Sequence, residues 1–234
     1  MDWHYLVGKT QSHLVSVSCQ GSSHLIHPKV VDDFQQLYQE AQKAGFCLTI
    51  ASGFRSFERQ MMLWNNKMGL QRPILDEHSQ AIDAHQLSET ERMWAILRWS
   101  ALPGASRHHW GTDFDVFDAH ALPANTSLKL EPWEYLTGHQ QAFYLWLKQH
   151  IQQFGFFFPY PNTHLSHSIA FEPWHMSHQA TTQEHLTALN PEILIQAIKN
   201  EAVLGKNSIL ANIDTIYQNY VLLKPSIKNQ DGEV

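Results

Sequence analysis

Apolar residues at helical spacing give the clearest signal in the chain. Val30, Phe34, Leu37, Ala41 and Ala44 fall on one face and Gly45 supplies a stop, which predicts an amphipathic helix over 30–44. Upstream, residues 3–26 alternate weakly (Tyr5, Val7, then Leu14, Ser16) around Gly8-Lys9 and Gly21-Ser22, the pattern of a hairpin or loop. Cys47 to Ala51 reads as a short strand. Ser56 is a natural N-cap for a helix through Met61, Leu63 and Trp64. Residues 73–87 are polar and aperiodic, hence a loop. Ser88-Glu89-Thr90-Glu91 is a capping box that opens a helix to about Trp99.

Beyond the Pro103-Gly104 turn, residues 111–118 alternate like a strand. Pro132 starts one long amphipathic helix through Phe143, Leu147, Ile151 and Phe154, closed by Gly155. Residues 169–175 read as a further strand interrupted by Pro173. Asn190-Pro191-Glu192 is an N-cap with proline at the first helical position. Ser208 then opens a last helix with Ile209, Ile213, Ile216 and Tyr220 on one face. Helices and short strands mix without a βαβ rhythm, so the predicted class is α+β. The 234 residues suffice for one sizeable core and predict one domain, 1–234, with no internal repeat.

Composition narrows the chemistry. Charged residues are 16% of the chain, below the roughly 25% of an average soluble domain, the net charge is -6, and no Lys/Arg run is longer than two. A basic footprint for nucleic acid or anionic lipid is absent. The longest apolar run, 154–161, is too short for a membrane span, and Met1-Asp2-Trp3-His4 lacks the basic start of a signal peptide. The expectation is therefore a cytoplasmic chain. Cys19 and Cys47 form no CxxC pair, which argues against a disulfide scaffold or a thiolate zinc site. Histidine is the outlier, with sixteen, and it is the commonest metal ligand.

Polar residues that a core would reject concentrate in three segments: Ser52 to Gln60, Ser106 to Asp115, and Glu172-Pro173-Trp174-His175. A mononuclear catalytic zinc takes three ligands from imidazole and carboxylate and keeps a position open to water. His108, a carboxylate of the following strand and His175 are of that kind, and Glu172 is a base beside them. In a regular strand Glu172 and His175 point to opposite faces, but Pro173 breaks ladder pairing and allows a bulge or strand end to realign them. Asp113 and Asp115 share a strand face, so spacing leaves the carboxylate open between the two. No HExxH, Gly-x-Ser-x-Gly or phosphate loop occurs.

The order Ser-Gly-Phe-Arg-Ser-x-x-x-Gln, then Ser-x-His-x-x-Gly-x-x-x-Asp, then Glu-Pro-Trp-His resembles the VanY-type D-alanyl-D-alanine carboxypeptidases, part of the wider LAS group of zinc peptidases. The resemblance spans 52–175, about half the chain. It implies a small, largely antiparallel sheet flanked by helices, with the zinc in a cleft across the sheet, a motif-bearing core of about 27–180 and a C-terminal helical extension of about 181–234. It implies one zinc ion on His108, Asp115 and His175, with Glu172 as the base that deprotonates the attacking water. Arg55 and Gln60 would bind the peptide, Arg55 at its terminal carboxylate, with Ser106 and Tyr160 lining the cleft. Asp113 departs from the family, which commonly carries a small residue there. The implied partner is a peptidoglycan peptide or muropeptide. The implied reaction is hydrolysis of the terminal D-Ala-D-Ala bond. An L,D-carboxypeptidase, an endopeptidase on muropeptides and a silent zinc-binding peptide-recognition module are the alternatives. Of the other histidines, His109 is expected to pack behind the site, and His164, His167 and His178 to lie at the cleft rim or surface. Trp174 is expected to brace the His175 ring.

Overall fold

The computed structural model of the protein describes residues 2–161 and 169–223. After a single helical turn α1 (Trp3–Leu6), strands β1 (Val15–Cys19) and β2 (Ser22–Ile26) form a separate two-stranded hairpin. Its turn places Gln20 and Gly21 at φ 49 and 75, the left-handed pair that a tight hairpin needs. Helix α2 (Val31–Lys43) follows the apolar stripe predicted for it and buries Phe34, Leu37 and Ala41.

The larger sheet has four antiparallel strands in the order β3-β4-β6-β5, with β3 at Leu48–Ser52, β4 at Asp113–Asp118, β5 at Phe156–Phe157 and β6 at His175–His178. Its two faces are chemically distinct because successive side chains alternate. Phe114, Val116 and Met176 join Phe34, Leu37, Phe143 and Leu147 in one apolar cluster. Asp113 and Asp115 take the opposite face, where the register sets Asp115 directly across from His175. The register of β3 on β4 shifts between Ile50 and Ser52, leaving Ser52 opposite Asp115.

Helices cover the rest: α3 (Phe57–Met68) capped by Ser56, α4 (Glu89–Leu97) with both halves of the predicted capping box formed, α7 (Gln179–Ala188), α8 (Pro191–Ile198) capped by Asn190, α9 (Lys206–Ala211) and α10 (Ile213–Ile216). A second apolar cluster joins Leu6, Phe57 and Trp64 to Leu102, Ile198, Ile216 and Val221. The α+β class is thus met.

Three expectations are corrected. The long helix expected from Pro132 to Phe154 is two, α5 (Pro132–Leu136) and α6 (Gln141–His150), followed by a 3-10 turn at Ile151–Phe154. The break spans 137–140 and includes Gly138, where a Cβ would lie 2.9 Å from the Trp133 ring. The strand expected over 169–175 begins where it was expected to end, at His175, because proline at 173 cannot donate to a ladder. The last helix starts at Lys206 and breaks at Asn212, then ends in a π turn over Tyr217–Val221. Helix α7, at the start of the expected C-terminal helical extension, shows no apolar stripe in the sequence because Thr181, Thr182 and His185 form its buried side, and hydrophobic periodicity cannot report a polar buried face.

Candidate functional site

Three elements converge on one point. His108 sits in a 3-10 turn, Arg107–Trp110, which closes at Gly111 with φ 66; a Cβ there would lie 2.7 Å from the Leu14 side chain and 3.0 Å from the His27 nitrogen. Only glycine lets the chain reverse so close to the hairpin. Strand β4 delivers Asp115, and β6 delivers His175 across from it. One ligand-type atom from each of these residues lies within 4.8 Å of the others, and all three residues are buried.

Their outer hydrogen bonds fix which atoms face inward. His108 Nδ1 lies 2.9 Å from the Gly53 carbonyl, which can only accept, so Nδ1 carries the proton and Nε2 turns its lone pair to Asp115 Oδ2 at 3.4 Å. His175 Nε2 lies 3.0 Å from Asp113 Oδ1, while Nδ1 faces Asp115 Oδ1 at 3.1 Å and Glu172 Oε2 at 3.5 Å. The second oxygen of Asp113 accepts hydrogen bonds from the hydroxyls of Thr112 and Thr182. Asp113 therefore grips the outer side of the His175 ring, and Asp115 faces the inner side. A carboxylate behind a ligating imidazole is the usual second support of a metal site.

The inner atoms fit a cation. Asp115 Oδ1 is buried, and although His175 Nδ1 stands 3.1 Å away, it has no hydrogen-bond partner among the described residues. Two imidazole nitrogens and a carboxylate oxygen then point lone pairs at one another, an arrangement that a proton or a metal ion must relieve. Without an ion the proton goes to His175: burial opposes its charge, but the adjoining carboxylates of Asp113 and Asp115 prevail and push it up to about 10. Asp115 is held well below the carboxylate range; burial opposes this and is overcome by His108 and His175. Burial pushes the His108 imidazolium down.

Glu172 is in a turn rather than a strand. Its carbonyl accepts the His175 N–H at 3.2 Å, and its own N–H goes to the Tyr160 carbonyl at 3.2 Å. The turn, made where Pro173 interrupts pairing, puts Glu172 and His175 on the same side despite their spacing. Burial foremost, and Asp115 after it, raises the Glu172 carboxyl to about 7.

These groups line a cavity of ≈ 240 Å³ together with Arg55, Ser106 and Tyr160. Arg55 donates from Nη1 to Gln60 Oε1 and from Nη2 to Ser52 Oγ, both at 2.9 Å, and stands 3.9 Å from Asp115 Oδ2. Gln60 is buried behind Arg55 and ties it to the Ala101 carbonyl at 2.7 Å, so it holds the guanidinium and does not border the cavity. The Tyr160 ring meets His175 edge-on, 4.9 Å between centroids. Trp174 packs on Trp99 and Tyr135. His109 lies behind the site, with Nδ1 2.6 Å from the Arg55 carbonyl and Nε2 accepting the Gly104 N–H. His178 corrects its expectation: it is buried, caps α7 and reaches Asp33 at 2.9 Å. His164 and His167 lie outside the described residues. Two features were missed in the sequence, the buried Arg107 at the cavity wall and a wall from the C-terminal segment, Ile216, Tyr220 and Val221.

The VanY family of D-alanyl-D-alanine carboxypeptidases matches residues 23–181, and the chain belongs to that family. An uncharacterized protein of Haemophilus influenzae is 37% identical over 123 residues, 52% of this chain and 93% of that protein. Among solved structures, VanYB in complex with D-alanine-D-alanine aligns with a TM-score of 0.52 at 21% identity, over 80% of this chain and 88% of that one. The LD-carboxypeptidase LdcB aligns equally well, with a TM-score of 0.52 at 21% identity, over 80% and 78% of the two chains. A vancomycin-resistance D,D-pentapeptidase VanY in complex with Zn(II) gives 0.50 at 21% identity, over 83% and 99%. The fold is that of these peptidases. No helix among the described residues is long and apolar enough to cross a membrane.

Proposed function

We propose that this chain is a zinc-dependent carboxypeptidase that hydrolyses the terminal D-Ala-D-Ala bond of peptidoglycan stem peptides. The observation that carries the reading is the buried convergence of His108, Asp115 and His175 beside Glu172. One zinc ion would be held by those three residues. When bound, it supplies a Lewis acid for the scissile carbonyl and lowers the pKa of the attacking water. Glu172 takes the proton of that water and passes it to the leaving amine; a carboxyl raised by burial to about 7 suits both roles. Arg55, pre-oriented by Gln60 and Ser52, meets the terminal carboxylate with its planar fork, which makes the enzyme an exopeptidase. Ser106 and Tyr160 border the bound peptide.

The equal structural likeness to an LD-carboxypeptidase supports a second reading, in which the same centre trims the bond one residue further in. A silent binding module has no use for a buried base beside the ligands. Glu172→Ala separates enzyme from module: turnover should fall by at least about 10²-fold while bound zinc stays stoichiometric. Hydrolysis that survives the substitution would remove Glu172 from the mechanism.

A further inference from the structure

Among the described residues, Arg107 is a buried cation without an anion. Its residue is 6% exposed, and Nη1 is sealed from solvent with no hydrogen-bond partner among the described residues. No described carboxylate pairs with it. Asp113 feels its charge but is already bonded to His175 and Thr112. What the guanidinium does have is the Tyr160 ring, with its central carbon 6.0 Å from the centroid. Buried charges are ordinarily paired, since removing an unpaired one from water is unfavourable. Arg107 also borders the cavity that holds Glu172, Arg55 and His175.

The contrast with Arg55 is informative. Both Nη atoms of Arg55 are already engaged, and Asp115 stands close by. Among the described residues Arg107 has no such hydrogen bond or ion pair. Its position in the chain, between Ser106 and His108, fixes it to the same turn that carries one of the three converging residues. A charge kept unpaired at the edge of a reaction cleft is a cost that ligand binding can recover.

We infer that Arg107 is a substrate-binding residue whose partner is a carboxylate of the peptide substrate. This deepens the carboxypeptidase reading and rests on it. Two sources share that chemistry: the terminal carboxylate, shared with Arg55, or an acidic side chain upstream of the scissile bond.

The test uses zinc-loaded Glu172→Ala protein, with and without Arg107→Gln, and four peptides of one sequence. Each has a free or amidated terminus and an acidic or carboxamide residue before the terminal pair. Arg107→Gln should weaken binding about 10–100-fold for peptides bearing the carboxylate Arg107 reads, and that penalty should vanish where the carboxylate is amidated. The peptide on which it vanishes identifies the source. Arg107→Lys should recover part of the affinity. Thermal unfolding of the ligand-free single variant gives an independent readout: removing an unpaired buried cation should raise Tm. An equal penalty on all four peptides, no penalty on any, or a lowered Tm without a binding change would make Arg107 a packing partner of Tyr160 and overturn the inference. If the Glu172→Ala protein holds zinc yet binds none of the peptides, the carboxypeptidase reading itself fails, and the inference falls with it.

Discussion

Asp113 and Asp115 point from one strand face toward one imidazole, and they differ in what their other oxygen meets. The second oxygen of Asp113 takes two threonine hydroxyls, while that of Asp115 faces His108. Alternation along the strand could not separate them, because two residues at a spacing of two are equivalent until the partner strand is in place. The structure separates them by putting His175 across from Asp115. A consequence follows for metal binding. In the ion-free protein His175 holds a proton up to about pH 10, so an ion that takes Nδ1 must displace it. Zinc affinity, measured by competition with a chelator between pH 6 and 8, should climb about tenfold per pH unit. Asp113→Ala should lower affinity about 10–100-fold at fixed pH by freeing the ring. A pH-independent affinity would mean that His175 is not a ligand. The motif residues were legible by type, whereas Gln60 behind Arg55 and the unpaired state of Arg107 depend on tertiary neighbours that spacing does not encode.

Elements were legible where a single periodicity governed them. Helices α2, α3 and α4 announced themselves through apolar spacing and caps, and the capping box at Ser88 and Glu91 formed as written. The pattern failed where a polar side chain does structural work. Gln140 explains why the helical run after Pro132 is interrupted: fully buried, it accepts the Asp118 N–H at 2.7 Å and donates to the Asp118 carbonyl at 3.1 Å. It acts as a one-residue strand closing the end of β4, and a straight helix is not what the structure uses to bring it there. Gln140→Ala leaves both backbone groups buried and unpaired. Urea unfolding should report a loss of roughly 2–4 kcal/mol. A change within about 0.5 kcal/mol, as for an ordinary surface site, would refute that role.

At the scale of the whole molecule, the apolar cluster running from Leu6 to Val221 carries the C-terminal segment onto the cleft, beyond the end of the family match at residue 181. The histidine excess also acquires a partial physical account. His13 and His27 lie beside Tyr5 and His185, away from the cleft: Tyr5 stacks on His13 and bonds to His185, and the His27 and His185 rings meet edge-on. Burial foremost pushes His13 and His27 down to about 4. Because their folded values lie below the unfolded value near 6.5, their contribution to stability is present above pH 6.5 and lost as the pH falls toward 4. Both ring nitrogens of His13 are also without partners among the described residues. His13→Phe should therefore raise stability at pH 7 and flatten its decline between pH 7 and 5. A destabilised variant with an unchanged acid limb would refute this. Composition flagged the histidines, but only packing shows which ones line the cleft.

Zinc-loaded protein should be incubated with tetrapeptide, pentapeptide and cross-linked stem peptides, with Glu172→Ala in parallel, and the products weighed by mass spectrometry. The account predicts loss of one alanine from the pentapeptide, and none with Glu172→Ala. Trimming of the tetrapeptide alone would transfer the chain to the L,D class. No cut in any peptide, with zinc bound stoichiometrically, would contradict the account.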